Sequence, residues 1–290
     1  MHTPSNAIRY ALLATPIVFV VVFLVGPLLV MLAWSVFELD GFSVRPGFTF
    51  EHYREFFTGV RLFILERGLV VAAAVTLVSL VISYPVAYFL AMRVRPETAR
   101  TVLLLFTVPF LVNYVIRNFA LAYLLSRTGP VNQALLELGV VERAVDWLLF
   151  SNFSVLVGLI ASYMPFMIYP LWLALAGIDG RLVEASWLLG ADPRNTFLRV
   201  TLPLSMPGVF AAAIFGFVGS FGESAVPIIL GGVGYQLMGN TITSTMDVLN
   251  YPLAAAMSSV VVGLMLLFLM AWYAAFDIRS FLGKIVRWRY

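Results

Sequence analysis

Residues 179–208 read DGRLVEASWLLGADPRNTFLRVTLPLSMPG, and this stretch has a pattern of its own. Its first half places apolar and polar side chains at helical spacing, which predicts a short amphipathic helix. Gly190 suits the C′ position that closes such a helix, and Asp192-Pro193 suits an N-cap followed by proline in the first turn. A second short helix is expected to run until Pro203 stops it. The stretch therefore predicts two short helices joined by a sharp bend.

The rest of the chain is unusually apolar. Of its 290 residues 61% are hydrophobic and 11% are charged, and the mean hydropathy is +0.96. Soluble domains are typically about 45–50% apolar and about 25% charged, so a lipid bilayer is the expected solvent. Cysteine is absent, which excludes disulfides, thiolate nucleophiles and Cys-based metal sites. The net charge of +3 gives no indication of nucleic-acid binding.

Six segments are long and apolar enough to cross the hydrocarbon core, which takes about 20 residues. The sequence predicts an all-α polytopic membrane protein with one transmembrane domain over residues 1–290. The first span is expected to be retained, because its apolar run exceeds the roughly 7–15 residues of a signal-peptide core. The predicted spans are Tyr10–Trp34, Gly68–Met92, Thr101–Leu125, Phe153–Leu175, Val209–Leu230 and Ala254–Phe276.

The distribution of basic residues predicts the orientation. If both termini are cytoplasmic, the inside segments hold eleven Lys and Arg residues and the longer outside segments hold six. The short 93–100 segment and the tail 277–290 carry most of this difference. Because cytoplasmic loops are enriched in Lys and Arg, both termini and the 179–208 loop are expected on the cytoplasmic side.

The 179–208 loop resembles the EAA loop of ABC-importer permeases. The family pattern is Glu-Ala-Ala, three residues, Gly, nine residues, then Ile-x-Leu-Pro. Here Glu184-Ala185-Ser186, Gly190 and Val200-Thr201-Leu202-Pro203 keep that spacing over 20 residues. The second Ala is replaced by Ser186, Ile by Val200, and the Asp that many relatives carry two residues before the Gly by Leu188.

The resemblance implies a type I ABC-importer transmembrane domain whose loop docks on a separate ATPase. In that family the loop holds the coupling helix, which sits in a cleft of the nucleotide-binding subunit. It implies that Ala185 and Ser186 permit close approach, that Glu184 pairs with a basic group of the ATPase, and that Gly190 permits the bend. Leu202 and Pro203 complete the implied coupling set. An alternative from pattern alone stays open, namely an amphipathic helix that lies on the lipid headgroups.

The chain does not carry the phosphate-binding loop that a P-loop ATPase needs. That loop ends in Gly-Lys followed by Ser or Thr, and the only lysine lies in Gly283-Lys284-Ile285, without the hydroxyl. The chain is therefore expected to be no enzyme and to bind no cofactor, with ATP and magnesium on a partner ATPase.

Two charged residues lie inside predicted spans, Arg117 in the third and Glu223 in the fifth. Ionisable residues within a membrane are costly and are functional candidates by default. Asn113 shares a helix face with Arg117, and Ser220 and Ser224 share one with Glu223 if that stretch is helical. Two interpretations stay open: a structural salt bridge between the two spans, or a path in which Glu223 meets a cationic substrate.

Segments beyond the loop sharpen the resemblance. Residues 113–139, Gly222-Glu223-Ser224-Ala225-Val226-Pro227 and Met238-Gly239-Asn240 are similar to spermidine/putrescine permeases. This implies a heterodimer with a second permease, an ATPase dimer, an extracytoplasmic binding protein, and a location in the bacterial cytoplasmic membrane. Related permeases for ferric iron, phosphonates, opines or thiamine share much of the pattern.

Two other classes of function fit the sequence less well. A proton-coupled secondary transporter using Glu223 often shows interrupted spans in repeated halves and has no use for the EAA spacing. An intramembrane enzyme needs a nucleophile, a base or metal ligands, and the predicted spans contain no His and no acidic residue other than Glu223.

Overall fold

The computed structural model describes residues 14–41 and 43–275. The first residues of the first predicted span, the last residue of the sixth, and the termini used for the orientation lie outside these ranges. The described residues form twelve longer helices, a short 3-10 helix at Asp146–Leu148 and one small hairpin: α1 Ala14–Trp34, β1 Glu38–Asp40, β2 Ser43–Arg45, α2 Glu51–Phe57, α3 Val60–Met92, α4 Pro96–Leu111, α5 Tyr114–Leu125, α6 Pro130–Glu137, α7 Asn152–Ala176, α8 Gly180–Leu188, α9 Pro193–Phe221, α10 Ala225–Gly231, α11 Met238–Asp247 and α12 Tyr251–Ala275.

Five of these helices are long and apolar enough to cross a membrane, namely α1, α3, α7, α9 and α12. A sixth span is obtained if the bent pair that starts at α4 is counted as one. A helix pairs most of its backbone groups within its own segment, as a bilayer requires. The fold is that of a polytopic all-α membrane protein.

The chain divides into two compact units, and the prediction of one domain over residues 1–290 stays a prediction. In the described part of the first unit, residues 14–63 and 242–275, α12 packs on α1 and α2. The rings of Trp34 and Tyr251 meet edge to face at 5.9 Å. The hydroxyl groups of Tyr53 and Ser35 are hydrogen-bonded at 2.7 Å, which ties α2 to the end of α1.

In the second unit, residues 64–241, the long helices α7 and α9 pack closely along their length. Small residues allow this approach, as in other membrane helix pairs. A Cβ atom added at Gly208 would lie 2.5 Å from Ala174 Cβ and 2.6 Å from the Pro170 carbonyl oxygen, and one at Gly216 would lie 2.8 Å from Met167 Sδ. The core of this unit therefore depends on glycine at the α7–α9 contact.

The third predicted span, Thr101–Leu125, is not a single straight helix in the structure. Helix α4 ends at Leu111, Val112 is extended, and α5 starts at Tyr114, so that the parts Pro96–Pro109 and Tyr114–Glu137 are bent by 85°. Pro109 weakens the end of α4 because it lacks an N–H group. Asn113 then caps α5, because its Oδ1 accepts from Val115 N at 2.9 Å and Ile116 N at 3.4 Å.

The fifth predicted span, Val209–Leu230, is also divided. Helix α9 ends at Phe221, the next three residues are not helical, and α10 starts at Ala225. Gly222 lies at the C-cap of α9 and relaxes the helix there, since glycine has little preference for helical backbone angles. The predicted helical face shared by Ser220, Glu223 and Ser224 does not form, for the same reason.

Candidate functional site

The 179–208 loop has the predicted helix–bend–helix form. Asp179 caps α8 by accepting from Arg181 N at 3.0 Å. After α8, Gly190 has φ +83° and donates to Trp187 O at 2.9 Å, while Ala191 N donates to Ser186 O at 3.0 Å. This pair of bonds is a Schellman motif with glycine at C′. The predicted role of Gly190 as the residue that closes the helix is confirmed.

The second predicted cap is confirmed as well. Asp192 Oδ1 accepts from Asn195 N at 2.7 Å, and Pro193 occupies the first helical position of α9. A side-chain oxygen here satisfies one of the four N–H groups that have no partner within the helix. The bend between α8 and α9 therefore has defined caps on both sides.

The prediction that Pro203 ends the second helix is wrong. Helix α9 continues to Phe221, because the turn before the proline, Phe197–Thr201, widens to π-helical geometry. Leu202 N then donates to Phe197 O, five residues back. The wider turn lets the backbone pass a residue that cannot donate a hydrogen bond, and π turns of this kind concentrate at functional sites.

The tip of the loop presents apolar side chains outward. Leu188 and Leu189 are each 89% exposed, and Trp187 is 56% exposed. Of the predicted coupling residues, Glu184, Ala185, Gly190 and Pro203 are exposed, Leu202 is half-buried and Ser186 is buried. Outward-facing apolar side chains of this size mark an interaction surface.

The second candidate site lies where the break after α9 meets α7. Glu223 is buried, with 9% of its surface exposed. Its Oε1 accepts from Ser224 N at 2.9 Å and Ala225 N at 2.8 Å, and its Oε2 accepts from the Tyr163 hydroxyl at 2.7 Å. A carboxylate has about four acceptor positions, so these contacts satisfy most of its capacity.

Tyr163 is a site residue that the sequence analysis did not select. It lies 60 residues before Glu223, and tyrosine in a membrane span is more often a packing residue. Gly219 makes the contact possible, because a Cβ atom there would lie 2.3 Å from Tyr163 Cε1. The glycines flanking Glu223 were therefore the available signal, since they indicate close approach by another helix.

A second tyrosine hydroxyl lies beside Glu223, and a serine hydroxyl lies next to that tyrosine. Tyr114, the first residue of α5, lies beside both Glu223 and Ser162. Within the described residues, the buried Tyr114 and Ser162 hydroxyl groups have no hydrogen-bond partner. The two helix breaks, at Asn113 and at Glu223, thus bracket one cluster of polar side chains, the Glu223 cluster: Tyr114, Ser162, Tyr163 and Glu223.

The remaining predicted path residues are held mainly by their own helices. Asn113 is the cap of α5, and Ser220 donates to Gly216 O at 2.6 Å. Ser224 contacts Glu223 through its backbone N–H. Arg117 donates to Pro109 O at 3.5 Å, and its guanidinium lies 5.3 Å from the centre of the Tyr114 ring. A salt bridge between Arg117 and Glu223 stays a prediction.

A third polar group lies where the N-terminal part of α3 meets the N-terminal end of α7. The Arg67 guanidinium lies 4.0 Å from the centre of the Tyr235 ring, and both side chains donate to Asn152 Oδ1 at 3.0 Å. Burial raises the pKa of Tyr235, and the nearby guanidinium offsets part of that rise. The three side chains pair with one another, and their contacts stabilise the packing of the two helix ends.

Comparison with known proteins places this architecture in a family. The family described as binding-protein-dependent transport system inner membrane component matches residues 83–280. The spermidine/putrescine transport system permease protein PotB of Salmonella typhimurium (strain SL1344) is 34% identical over 269 residues, which cover 91% of this chain and 93% of that protein. The protein of the same name from Escherichia coli (strain K12) is 34% identical over 262 residues, covering 88% and 94%.

A solved structure shares the fold. The crystal structure of a bacterial ABC transporter involved in the import of the acidic polysaccharide alginate matches with a TM-score of 0.74 and 17% identity, over 93% of this chain and 95% of that chain. The family match and this structural match support a type I importer transmembrane domain, and the family is one of inner-membrane components. The chain belongs to the family of binding-protein-dependent transport system inner membrane components, the permeases of ABC importers.

Proposed function

We propose that this chain is a permease subunit of an ATP-driven importer of polyamines. The observation that carries the proposal is 34% identity over nearly the full length of two proteins named as spermidine/putrescine permeases. Identity that extends along the whole chain includes the spans that form the path as well as the loop common to many importers. It favours polyamines over ferric iron, phosphonates, opines or thiamine as the substrate.

The 179–208 loop is the proposed docking site for the ATPase. Its exposed apolar tip, Trp187, Leu188 and Leu189, fits a cleft on a protein partner, with the exposed carboxylate of Glu184 beside it. Ala185 and Gly190 leave the adjacent backbone accessible. Closure of the ATPase dimer would move the loop as a rigid body and tilt the attached spans.

The importer would need partners that this chain does not supply. ATP and magnesium would be bound by the ATPase, because the sequence lacks the Gly-Lys-Ser/Thr element of a phosphate-binding loop. A second permease would complete the path, and an extracytoplasmic binding protein would deliver the substrate. The excess of Lys and Arg in the 93–100 segment and in the tail 277–290 supports a cytoplasmic loop and cytoplasmic termini.

The Glu223 cluster is the proposed contribution to the substrate path. A polyamine carries several ammonium groups, and each of them needs acceptors when it leaves water. The carboxylate of Glu223 supplies negative charge, the Tyr114 hydroxyl beside it supplies a further acceptor, and the Ser162 hydroxyl lies next to Tyr114. Non-helical backbone at membrane depth is tolerated where it is buried in protein or lines a cavity, and the breaks beside Glu223 fit such a place.

The test is uptake of radiolabelled spermidine by proteoliposomes that contain the complete importer and receive its binding protein. The unmodified importer is expected to accumulate spermidine only with internal ATP. Glu223→Gln is expected to lower the initial rate about tenfold, because it removes the charge while keeping the size and the acceptor oxygen. Tyr163→Phe is the matched control, since it keeps the charge and removes one hydrogen bond.

Two results would contradict these proposals separately. Absence of spermidine uptake by the unmodified importer, with uptake of another delivered solute, would reject polyamines as the substrate. Equal uptake of spermidine by the unmodified and Glu223→Gln importers would not affect the assignment of polyamines as the substrate. It would show that the Glu223 charge has no role in the path.

A further inference from the structure

Ser186 and Thr196 form a buried contact inside the loop. Ser186 lies in α8 and Thr196 in the first turn of α9, and their hydroxyl oxygens are 2.8 Å apart. Ser186 is 9% exposed and Thr196 is 4% exposed, whereas Leu188 and Leu189 nearby are almost fully exposed. The two hydroxyl groups thus lie on the inner side of the bend, where α8 faces α9.

The direction of the hydrogen bonds follows from the partners. The Ser186 hydroxyl lies 2.7 Å from the Val183 carbonyl oxygen, which can only accept, so Ser186 donates to it. Thr196 must then donate to Ser186 Oγ. The chain of bonds runs from α9 through Ser186 to the backbone of α8, and such chains are strengthened by mutual polarisation.

The residue after Thr196 connects the loop to the membrane helices. Phe197 begins the π turn, and its ring meets Tyr84 and Tyr88 of α3 edge to face, at 5.8 and 6.0 Å between centroids. Tyr84 also contacts Ser205, beyond the π turn, with 2.8 Å between hydroxyl oxygens. Helix α3 therefore contacts the chain at the first residue of the π turn and again after it, starting one residue beyond Thr196.

We propose that Ser186 and Thr196 are positioning residues that lock α8 to α9, so that a push on α8 reaches α3 through Phe197 instead of being absorbed at the bend. The inference rests on the proposed function, because it assigns the push to the ATPase. Gly190 allows the chain to turn, and the Asp192 cap supports the start of α9, but neither joins α8 to α9 through a side chain. The Ser186–Thr196 pair is a side-chain hydrogen bond that does join them.

The experiment compares Thr196→Val, which keeps the shape and removes the hydroxyl, with Thr196→Ser, which keeps the hydroxyl. In proteoliposomes with the complete importer, spermidine transported per ATP hydrolysed is measured together with the amount of ATPase retained. Loss of one net hydrogen bond, on the order of 1 kcal/mol, corresponds to a roughly fivefold fall in coupling for Thr196→Val. Thr196→Ser is expected to stay within twofold of the unmodified importer. Adding Ser186→Ala to Thr196→Val is expected to cause no further loss, because the bond is already absent.

A second measurement does not depend on the substrate. Hydrogen exchange of backbone amides in residues 191–200 of the purified complex is expected to speed up about fivefold in Thr196→Val and to stay unchanged in Thr196→Ser. Unchanged exchange in Thr196→Val, or equal acceleration in both variants, would overturn the lock even if the substrate assignment failed. Faster exchange with an unchanged transport-to-ATP ratio would overturn its role in coupling.

Discussion

Gly190 offers the most direct test of the bend in the 179–208 loop. Its φ of +83° lies in the left-handed region, and a Cβ atom there would meet nothing within 4 Å. Substitution by Ala therefore carries a backbone cost without a steric one. That cost is about 1–2 kcal/mol for a residue with a Cβ atom. It corresponds to a roughly five- to thirtyfold fall in the ratio of the bent loop conformation to conformations without a positive φ at residue 190.

The size of the effect should follow the backbone preference of the new residue. Asn tolerates the left-handed region better than Ala, so Gly190→Asn is expected to be milder than Gly190→Ala. Pro cannot adopt a positive φ and cannot donate to Trp187 O, so Gly190→Pro is expected to abolish the bend. Gly180→Ala is the matched control, since Gly180 also has open space but lacks a positive φ.

The assay is co-purification of the ATPase with the tagged permease pair, followed by transport in proteoliposomes. Thermal unfolding of each complex shows whether the membrane part is intact. ATPase retention is expected to fall in the order unmodified, Asn, Ala, Pro, with Gly180→Ala unchanged. Equal retention by Gly190→Ala and Gly180→Ala would refute the claim that this bend positions the loop for its partner.

Three further substitutions test the packing around the path. Gly219→Ala is expected to displace the Tyr163 ring and to lose its charge-assisted hydrogen bond, about 1.5–3 kcal/mol, so that the unfolding temperature of the complex falls as in Tyr163→Phe; an unchanged unfolding temperature would contradict the close contact. Asn113→Ala removes the cap of α5 and is expected to cost about 1 kcal/mol, seen as a lower unfolding temperature, while Asn113→Asp should retain most of the stability. Gly208→Val is expected to separate α7 from α9 and prevent assembly, because its first added carbon already clashes with Ala174 and the backbone behind it; normal expression and assembly would show that the helices can move apart.

The parts of the fold that sequence predicts well are those determined locally. Gly190 and Asp192-Pro193 mark helix ends because a left-handed turn and a capped first turn depend only on nearby residues. Pro203 misleads for the opposite reason. The hydrogen bond that Pro203 cannot donate is accommodated by a π turn, so the helix continues. The first residue of that turn, Phe197, packs against tyrosines of another helix more than 100 residues earlier in the chain.

The broken third span shows a different limit. Thr101–Leu125 is one apolar run by hydropathy and is therefore predicted as one span. Within it, Pro109 marks the end of one helix and Asn113 the start of another. The contact between Tyr163 and Glu223 was not predictable from spacing, because it joins two helices far apart in sequence. A polar side chain in a span indicates that a partner exists, but only the packing of the helices shows which one.

The contacts of Glu223 explain why its substitution must be chosen with care. A helix break within a membrane leaves backbone N–H groups that water cannot reach, at a cost of several kcal/mol each. Glu223 Oε1 satisfies two of them, at Ser224 and Ala225, so the side chain supports the break independently of any substrate. Glu223→Gln keeps an oxygen for both N–H groups, and its amide nitrogen can donate to the Tyr163 hydroxyl oxygen once that hydroxyl has rotated, whereas Glu223→Ala removes all three bonds. A loss of uptake in both variants with a lower unfolding temperature only in Glu223→Ala would therefore separate the charge from the structural support. If Glu223→Gln transports normally while Glu223→Ala fails to assemble, the carboxylate is a structural element of the break, and the ammonium groups must find their negative charge elsewhere in the importer.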